Sequence, residues 1–402
     1  MKFSVPSITF RKALERVAKS IPKKTSLPDL GMIHVFTIND KSLGIESTNL
    51  RVFSKDEIEA DISTQGSILV PPSIIKVLPD DGFVTLEVIS GYKVSIILED
   101  GTKCHINGRN SEDFPEVFQD GIQEHSYTFP SLAKSKEDIK SLLGKLKYAA
   151  HCSHSLENSL QGFRGLYFVP GKDENLETLS VDGNRLAVSI LKGSYQKEDK
   201  RDSFPLGMDE LKILESWLKT FSYFPNQNSA LSLFFLQREN GAKSIRVSNC
   251  FSSITLLCTQ AEMLEYHEYL EEDSSKGTQF KAVFKRKELE TLIKKFRGVS
   301  SDPRMGFEFR NPEKGLDGKH TVYFPAEDEP EISTPMPEEV HSLGNIKGDY
   351  AMVAFQSRHL IEALKTMEDN LIEFFCDGEG FPAYFYGENE KERTVIMTLQ
   401  ML

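Results

Sequence analysis

The chain has 402 residues, 39% of them hydrophobic and 27% charged, with a formal net charge of −12 at neutral pH. That length exceeds what one ordinary core organises and predicts two to four domains of about 100 to 200 residues. No run approaches the roughly 18 apolar residues needed to cross a bilayer, so a soluble chain with no membrane partner is expected. The opening Met1-Lys2-Phe3-Ser4-Val5-Pro6 leads into charged Arg11, Lys12 and Glu15. That leaves no apolar stretch for a secretory signal, and a cytoplasmic protein follows. Cys104, Cys152, Cys250, Cys258 and Cys376 are odd in number and form no C-x-x-C pair, which predicts reduced, mostly buried thiols rather than a zinc or redox centre. An acidic total argues against a nucleic-acid binder, which ordinarily carries a basic face. The average conceals a local asymmetry.

In chain order, one unit of helix, strands, helix and hairpin is written three times, at a period of roughly 130 to 150 residues. The first copy opens with an amphipathic helix over residues 9–18, where Phe10, Leu14, Val17 and Ile21 recur at helical spacing. Strands over 33–38 and 43–46 follow around a turn at Asn39-Asp40, then a helix over 72–78 and a hairpin of 84–89 with 93–98. The second copy has a helix over 136–150 with Ile139, Leu142, Leu143 and Leu146 on one face. Strands at 165–169 and 179–181, a helix over 208–218 and a hairpin of 231–236 with 244–247 complete it. The third copy has helices over 285–296, carrying Leu289, Leu292, Ile293 and Phe296, and over 357–367, and a hairpin of 372–375 with 383–386. Its stretches 312–318 and 325–337, rich in proline and acid, are expected to be long surface loops. Two helices packed on antiparallel strands define an α+β domain. The polar or acidic connectors near 116–124 and 262–277 set the domains at 1–121, 122–264 and 276–402, and such charge runs ordinarily form solvated linkers.

The positive charge sits on the first helix of each copy. Residues 9–24 carry six basic side chains (Arg11, Lys12, Arg16, Lys19, Lys23, Lys24) against the single acid Glu15. Residues 134–151 carry five lysines against two acids, and 285–297 carry six basic residues against two acids. One basic helix is ordinarily a solvated face. Three at equivalent positions of a repeat point to a shared positive surface with an acidic exterior, and a ring arranges them so. Twelve helices from six domains, each about 10 Å wide, leave a hole of roughly 28 Å. A duplex passing through it would be attracted through its phosphates, independently of sequence and sensitively to salt. The DNA-facing candidates are Arg11, Lys12, Lys19, Lys23, Lys24, Lys145, Lys147, Lys294 and Lys295.

A set of ordered motifs then resembles one family along essentially the whole chain. Met1-Lys2-Phe3 begins it, Ser26-Leu27-Pro28-Asp29-Leu30-Gly31 is similar to T-L-P-I-L-G, and Asp113-Phe114-Pro115 is similar to the D-F-P that closes a first domain. Asp182-Gly183-Asn184-Arg185-Leu186-Ala187-Val188 resembles D-G-x-R-L-A-V, and Val395-Ile396-Met397-Thr398-Leu399-Gln400-Met401 is similar to V-V-M-P-M-R-L, with Leu402 one residue beyond. These are motifs of the β sliding clamp, the processivity subunit of bacterial DNA polymerase III. The resemblance implies three repeated clamp domains and a head-to-tail homodimeric ring around double-stranded DNA. It also implies a clamp loader and a replicative polymerase as partners, a nucleoid setting, no cofactor and no catalysis by the clamp itself. A partner-peptide pocket is implied at Phe163, Val181, Gly183, Asn184, Arg185, Leu186, Met397, Thr398, Leu399 and Met401. Such an apolar cleft with methionine in its wall suits several partners with Leu or Phe anchors. Absent the motif, Met397 and Leu399 read as ordinary edge-strand core. Lys24 matches a basic residue that reaches DNA, and Ile106 and Phe296 are the candidates for the dimer contact. Val181 stands for a threonine, Thr398 for a proline and Gln400 for an arginine, so the partner motif is expected to differ. Met263-Leu264-Glu265-Tyr266 stands where F-P-D-Y is usual. A phage or mobile-element clamp and one from a distant bacterial lineage both fit this drift.

Other functions lack support in the motifs. His151-Cys152-Ser153-His154 has an H-x-x-H spacing without an accompanying carboxylate motif and reads as a polar loop after a helix rather than a metal site. No G-x-x-x-x-G-K-[ST] loop occurs, and Asp377-Gly378-Glu379-Gly380 reads as a hairpin turn. A two-domain trimeric clamp would be a shorter chain with fewer repeats. A β-rich scaffold that ignores DNA would scatter its charge.

Overall fold

The structure, a computed structural model, describes residues 1–115, 127–154, 165–170, 175–192, 203–221, 230–238, 241–261, 266, 280–297, 304–310, 321–324, 332–335, 338–343, 350–377, 381–387 and 392–399. The chain forms two compact units, Met1–Leu142 with Gly193–Gln260, and Leu143–Lys192 with Ala261–Leu402. Each unit therefore takes strands from two of the three sequence repeats.

In the first unit the helix Ser7–Val17 buries Phe10, Ala13, Leu14 and Val17, the i, i+3, i+4, i+7 set that its sequence lays on one face. They join Phe3, Val5, Ile33, Val35, Ile45, Val84, Leu86 and Ile96 in one core. One sheet runs Asp61–Thr64, Lys2–Pro6, Phe83–Val88, Lys93–Leu98, Lys103–Asn107. A second runs Tyr127–Ala133, Leu231–Gln237, Lys243–Ser248, Ser252–Leu257, Val52–Glu59, Ser42–Thr48, Ile33–Asn39, Ser67–Val70. This sheet joins two repeats, because Val52–Glu59 pairs antiparallel with Ser252–Leu257 in the register Val52↔Leu256 to Asp56↔Ser252. The helix Met208–Leu218 buries Leu211, Leu214, Trp217 and Leu218, with Trp217 edge-on to Phe221 at 4.6 Å.

The second unit repeats that join. Arg185–Lys192 pairs with Glu392–Met397 from Arg185↔Ile396 to Ser189↔Glu392, so Gly165–Pro170, Asn175–Val181 and Arg185–Lys192 share a sheet with Glu392–Met397, Pro382–Gly387, Leu371–Cys376, Phe280–Lys285 and Glu338–Leu343. A further sheet orders Ile332–Pro335, Thr321–Phe324, Arg304–Arg310, Tyr350–Gln356. The helices Arg286–Arg297 and Ser357–Thr366 bury Leu289, Ile293, Leu360, Ile361 and Leu364 against a phenylalanine-rich core. Phe307 and Phe374 meet edge to face at 5.4 Å, and Phe374 lies 5.1 Å from Phe385. Each such ring, fully buried, contributes about 1.5–3 kcal/mol of transfer free energy.

The predicted α+β class and the helix–strand–helix–hairpin order hold, with four differences. The segment Pro72–Val77 is a 3-10 helix of six residues, a length at which the tighter i to i+3 turn commonly stands in for a regular helix. Within the stretch read as loop, Ile332–Pro335 is a strand paired with Thr321–Phe324; alternating small and branched residues fit a sheet despite the prolines around them. His151-Cys152-Ser153-His154 is a 3-10 turn rather than a polar loop, and His151, Cys152 and Ser153 are buried. Of the acidic connector, Tyr266 is buried at 2% exposure, because an aromatic ring gains more from a core than from a linker. The cysteines are all free, with Cys152 and Cys376 buried, Cys104 and Cys258 half-buried and Cys250 exposed. The expected loop 312–318, the connector 116–124, the rest of 262–277 and turn residues 378–380 lie outside the described residues.

Candidate partner pocket and basic helices

The D-G-N-R segment closes the hairpin between Asn175–Val181 and Arg185–Lys192. Asp182 Oδ1 accepts the amide protons of Asn184 (3.0 Å) and Arg185 (2.8 Å), and Gly183 takes φ +83°, a left-handed conformation that a Cβ would strain. Arg185 then turns inward. Its Nε donates to Asp182 Oδ2 at 2.8 Å and its Nη1 to Glu362 Oε2 at 2.7 Å, while Glu362 also accepts Arg358 Nε at 2.8 Å. Burial alone would lower the pKa of Arg185, but the carboxylates around it raise it above the ordinary value. Burial would likewise raise that of Glu362, and the hydrogen bonds from Arg358 and Arg185 bring it below the usual range instead. The motif arginine thus clamps the hairpin to the helix Ser357–Thr366.

The other face of this sheet is apolar. Val181 pairs with Leu186, Leu186 with Val395 and Val395 with Tyr384, giving one cross-strand row; Tyr167, Leu179 and Val188 form the next. Alternation puts Val395 and Met397 on this face and Glu392, Thr394 and Ile396 on the other. Tyr167, Val169, Leu179, Leu186, Val188, Tyr266 and Val395 are buried together in a cluster separate from the main core. A cleft of about 180 Å³ opens on it, walled by Tyr167, Leu179, Val181, Gly183, Asn184, Arg185, Leu186, Tyr266, Val395 and Met397. Met397 donates its amide to Asn184 O at 2.9 Å and is itself exposed. Burial pushes the Tyr167 phenol up to about 12, so it stays neutral, and the Tyr266 hydroxyl donates to Glu177.

Of the residues expected at a pocket, Val181, Gly183, Asn184, Arg185, Leu186 and Met397 stand together in this wall. Thr398 is buried behind it, donating to Phe381 O at 2.9 Å, and Leu399 bridges to Ala354 through N–H···O at 2.9 Å. Phe163 and Met401 lie outside the described residues. Tyr167, Leu179, Tyr266 and Val395 were not anticipated. The alternation that puts Val395 and Met397 on one face was legible; Tyr266 was masked by its acidic neighbours.

The basic candidates divide in two. Lys12, Lys19, Lys23, Lys24, Lys147, Lys294 and Lys295 are exposed. Arg11 is half-buried and paired with Glu15 at 3.1 Å and with Asp80, and Lys145 is half-buried near Glu392. Lys294 pairs with Glu290 along its helix, and the Lys295 ammonium sits 5.2 Å from the Phe296 ring. Arg16 turns away from solvent to Asp56, Ser252 (3.1 Å) and the face of Phe221 (4.5 Å). Ile106 is half-buried on the edge strand Lys103–Asn107, and Phe296 is half-buried with its ring 5.7 Å from Phe324. Among the described residues no group of three or more His, Cys, Asp or Glu could hold a metal ion, and no helix is long and apolar enough to cross a membrane.

Repeated helix-on-sheet domains, joined through continuous antiparallel sheets, define a DNA-clamp fold. Residues 1–118 match the family model described as the DNA polymerase III beta subunit, N-terminal domain. Over 100% of both chains the structure is similar to the DNA polymerase III subunit beta of Pseudomonas aeruginosa, with a TM-score of 0.79 and 17% identity. It is equally similar over 100% of both chains to the DNA polymerase sliding clamp of Bacillus subtilis (0.78, 16%) and the DNA polymerase beta subunit of Streptococcus pyogenes (0.78, 14%). No curated protein sequence matches the chain. The resemblance read from the sequence is borne out: along its length the chain has the fold of the bacterial DNA polymerase III beta sliding clamp, at low identity.

Proposed function

We propose that this protein is a sliding clamp: a homodimeric ring that encircles duplex DNA and tethers a replicative polymerase, without catalysing a reaction. The observation that carries the proposal is the clamp fold over the whole chain, and the exposed lysines of the three first helices support it. The domains of this reading are 1–121, 122–264 and 276–402. Lys12, Lys19, Lys23, Lys24, Lys147, Lys294 and Lys295 would face the phosphates, at distances bridged by water and with strong salt dependence. Arg11 and Lys145 are engaged within the protein and would add field rather than contact. Ile106, on an edge strand, and Phe296 are the candidates for the contact that closes the ring.

The cleft around Leu186, Val395 and Met397 is the site proposed for partner peptides, shared by polymerase and ATP-driven loader. Its polar groups are the neutral Tyr167 phenol, a Tyr266 hydroxyl already given to Glu177, an exposed Asn184 and an arginine committed to two carboxylates, so it would select by apolar shape rather than charge. The reading places the protein in the cytoplasm, on the nucleoid. The test is retention on nicked circular DNA after loading, compared with the same DNA linearised. A clamp stays on the circle in high salt and slides off the linear form; equal retention on both would end the proposal.

A further inference from the structure

The joint that carries the cleft has a twin in the first unit, built on the same backbone with different side chains. In the cleft joint Val181 pairs with Leu186 and Leu186 with Val395. In the first unit Thr48 pairs with Phe53 and Phe53 with Thr255. The turns agree in detail. Asn49 Oδ1 accepts the amides of Arg51 (3.0 Å) and Val52 (2.7 Å), as Asp182 Oδ1 accepts those of Asn184 and Arg185. Leu50 takes φ +71° where Gly183 takes +83°, and Leu257 donates to Arg51 O at 2.8 Å as Met397 donates to Asn184 O.

This register fixes the correspondences on the outer face. Phe53 stands for Leu186, Thr255 for Val395, Glu46 for Leu179, Lys55 for Val188 and Arg246 for Tyr384. The apolar face of one joint is mixed in the other, with the cations Lys55 and Arg246 beside Glu46, Thr255 and the buried ring of Phe53. Arg246 lies between Thr255 and Phe234 across the strands; its Nε donates to Thr255 Oγ1 at 3.1 Å, it is half-buried, and among the described residues it has no carboxylate partner. Burial lowers its pKa, the signature of a guanidinium that has lost water without gaining a counter-charge. Of the acids near this face, Glu46 is held by His34 Nδ1 at 2.9 Å and Glu210 by Arg51, while Glu57 lies beyond Lys55 on the same strand, opposite Gly44 and away from the Arg246 row.

We propose that this face of the first unit is a second docking site, for an acidic partner segment whose carboxylate pairs with Arg246 while a neighbouring apolar side chain rests on the half-buried Phe234 beside it. The planar guanidinium still offers the fork that a carboxylate fills with two parallel bonds, and Lys55 supplies a second cation on the same face. The site does not depend on the ring: a chain that failed to stay on circular DNA would still bind such a segment.

The probe is a dye-labelled octapeptide alternating glutamate and valine, together with its glutamine counterpart, titrated against the full chain by fluorescence anisotropy. The glutamate peptide binds, its affinity falls at least tenfold with Arg246→Gln and rises as salt is lowered, and the glutamine peptide binds at least tenfold more weakly to the unaltered chain. Arg246→Gln keeps a donor for Thr255 and removes an unpaired charge, so its unfolding midpoint does not fall. No binding at millimolar peptide, or binding indifferent to Arg246→Gln, overturns the proposal. Loss of binding with Leu186→Ala but not with Arg246→Gln places the peptide in the apolar cleft and overturns it equally.

Discussion

Glu392 opens the strand that ends at the cleft, and its protonation should set the stability of the second unit around neutral pH. Its side chain is buried, 4% exposed, and Oε2 accepts the amide of Glu368 at 2.9 Å. Burial is the main cause that raises its pKa from 4.5 to about 7; Asp369 and Glu368 add like charge, and the Glu368 amide and Lys145 oppose the rise. The folded state therefore keeps a proton that the unfolded chain has already lost. The stabilising difference is complete below the unfolded value and is lost as pH rises through about 7. With roughly 1.4 kcal/mol per pKa unit, the lost stability amounts to about 3 kcal/mol. Glu392→Gln retains the acceptor for Glu368 and cannot ionise. Thermal unfolding of both proteins at matched concentration should show the variant clearly the more stable at pH 8.5 and little different at pH 4. An equal gap at both pH values, or a variant weaker than the parent at pH 8.5, would refute the reasoning.

Arg185→Ala leaves the buried Asp182 and the Glu362 carboxylate without their shared cation, and should cost about 3–5 kcal/mol in denaturant unfolding. A smaller loss would show the arginine to be ornamental to the hairpin. Leu50→Gly relieves a left-handed backbone, φ +71°, and should be worth up to about 1 kcal/mol in unfolding free energy, whereas Gly183→Val should cost at least as much. Lys23→Glu with Lys24→Glu should weaken retention on circular DNA and reduce the slope of log affinity against log salt by about 2, with dimerisation unchanged in sedimentation; an unaltered slope would remove both lysines from the DNA-facing set.

Much of the fold was legible because its signals are local. The helices Ser7–Val17, Lys136–Ala149 and Arg286–Arg297 follow from apolar spacing, and the hairpin Leu371–Cys376 with Pro382–Gly387 from strand runs around a turn. The sheets that join repeats were not legible, since the register Leu186↔Val395 links positions more than two hundred residues apart and no local pattern encodes it. The same limit applies to charge. Counting put Arg11 and Arg16 in a basic surface, but Asp80 and Asp56, distant in sequence, hold them in the folded chain. Tyr266 escaped for the opposite reason: its acidic neighbours implied solvent, and only the fold reveals the hydrophobic cluster that takes the ring.

The two joints show which part of the proposed binding sites belongs to the fold and which to side chains. The paired strands, the Asx turn, the left-handed second position and the amide bond back to the turn recur in both, because a sheet crossing from one repeat to the next needs them whatever it binds. What differs lies on the outer face, away from the main core of each unit. There Leu179, Leu186 and Val395 make one joint apolar, and Glu46, Phe53 and Thr255 make the other mixed. The motif arginine illustrates the division within a single residue: Arg185 borders the cleft, yet its guanidinium is spent on Asp182 and Glu362 and holds the hairpin in place. Specificity at such a joint is therefore free to drift while the frame is held. Val181 and Thr398 can replace the family's threonine and proline without disturbing the pairing, because Val181 needs only to fill its place opposite Leu186 and Thr398 satisfies its hydroxyl at Phe381.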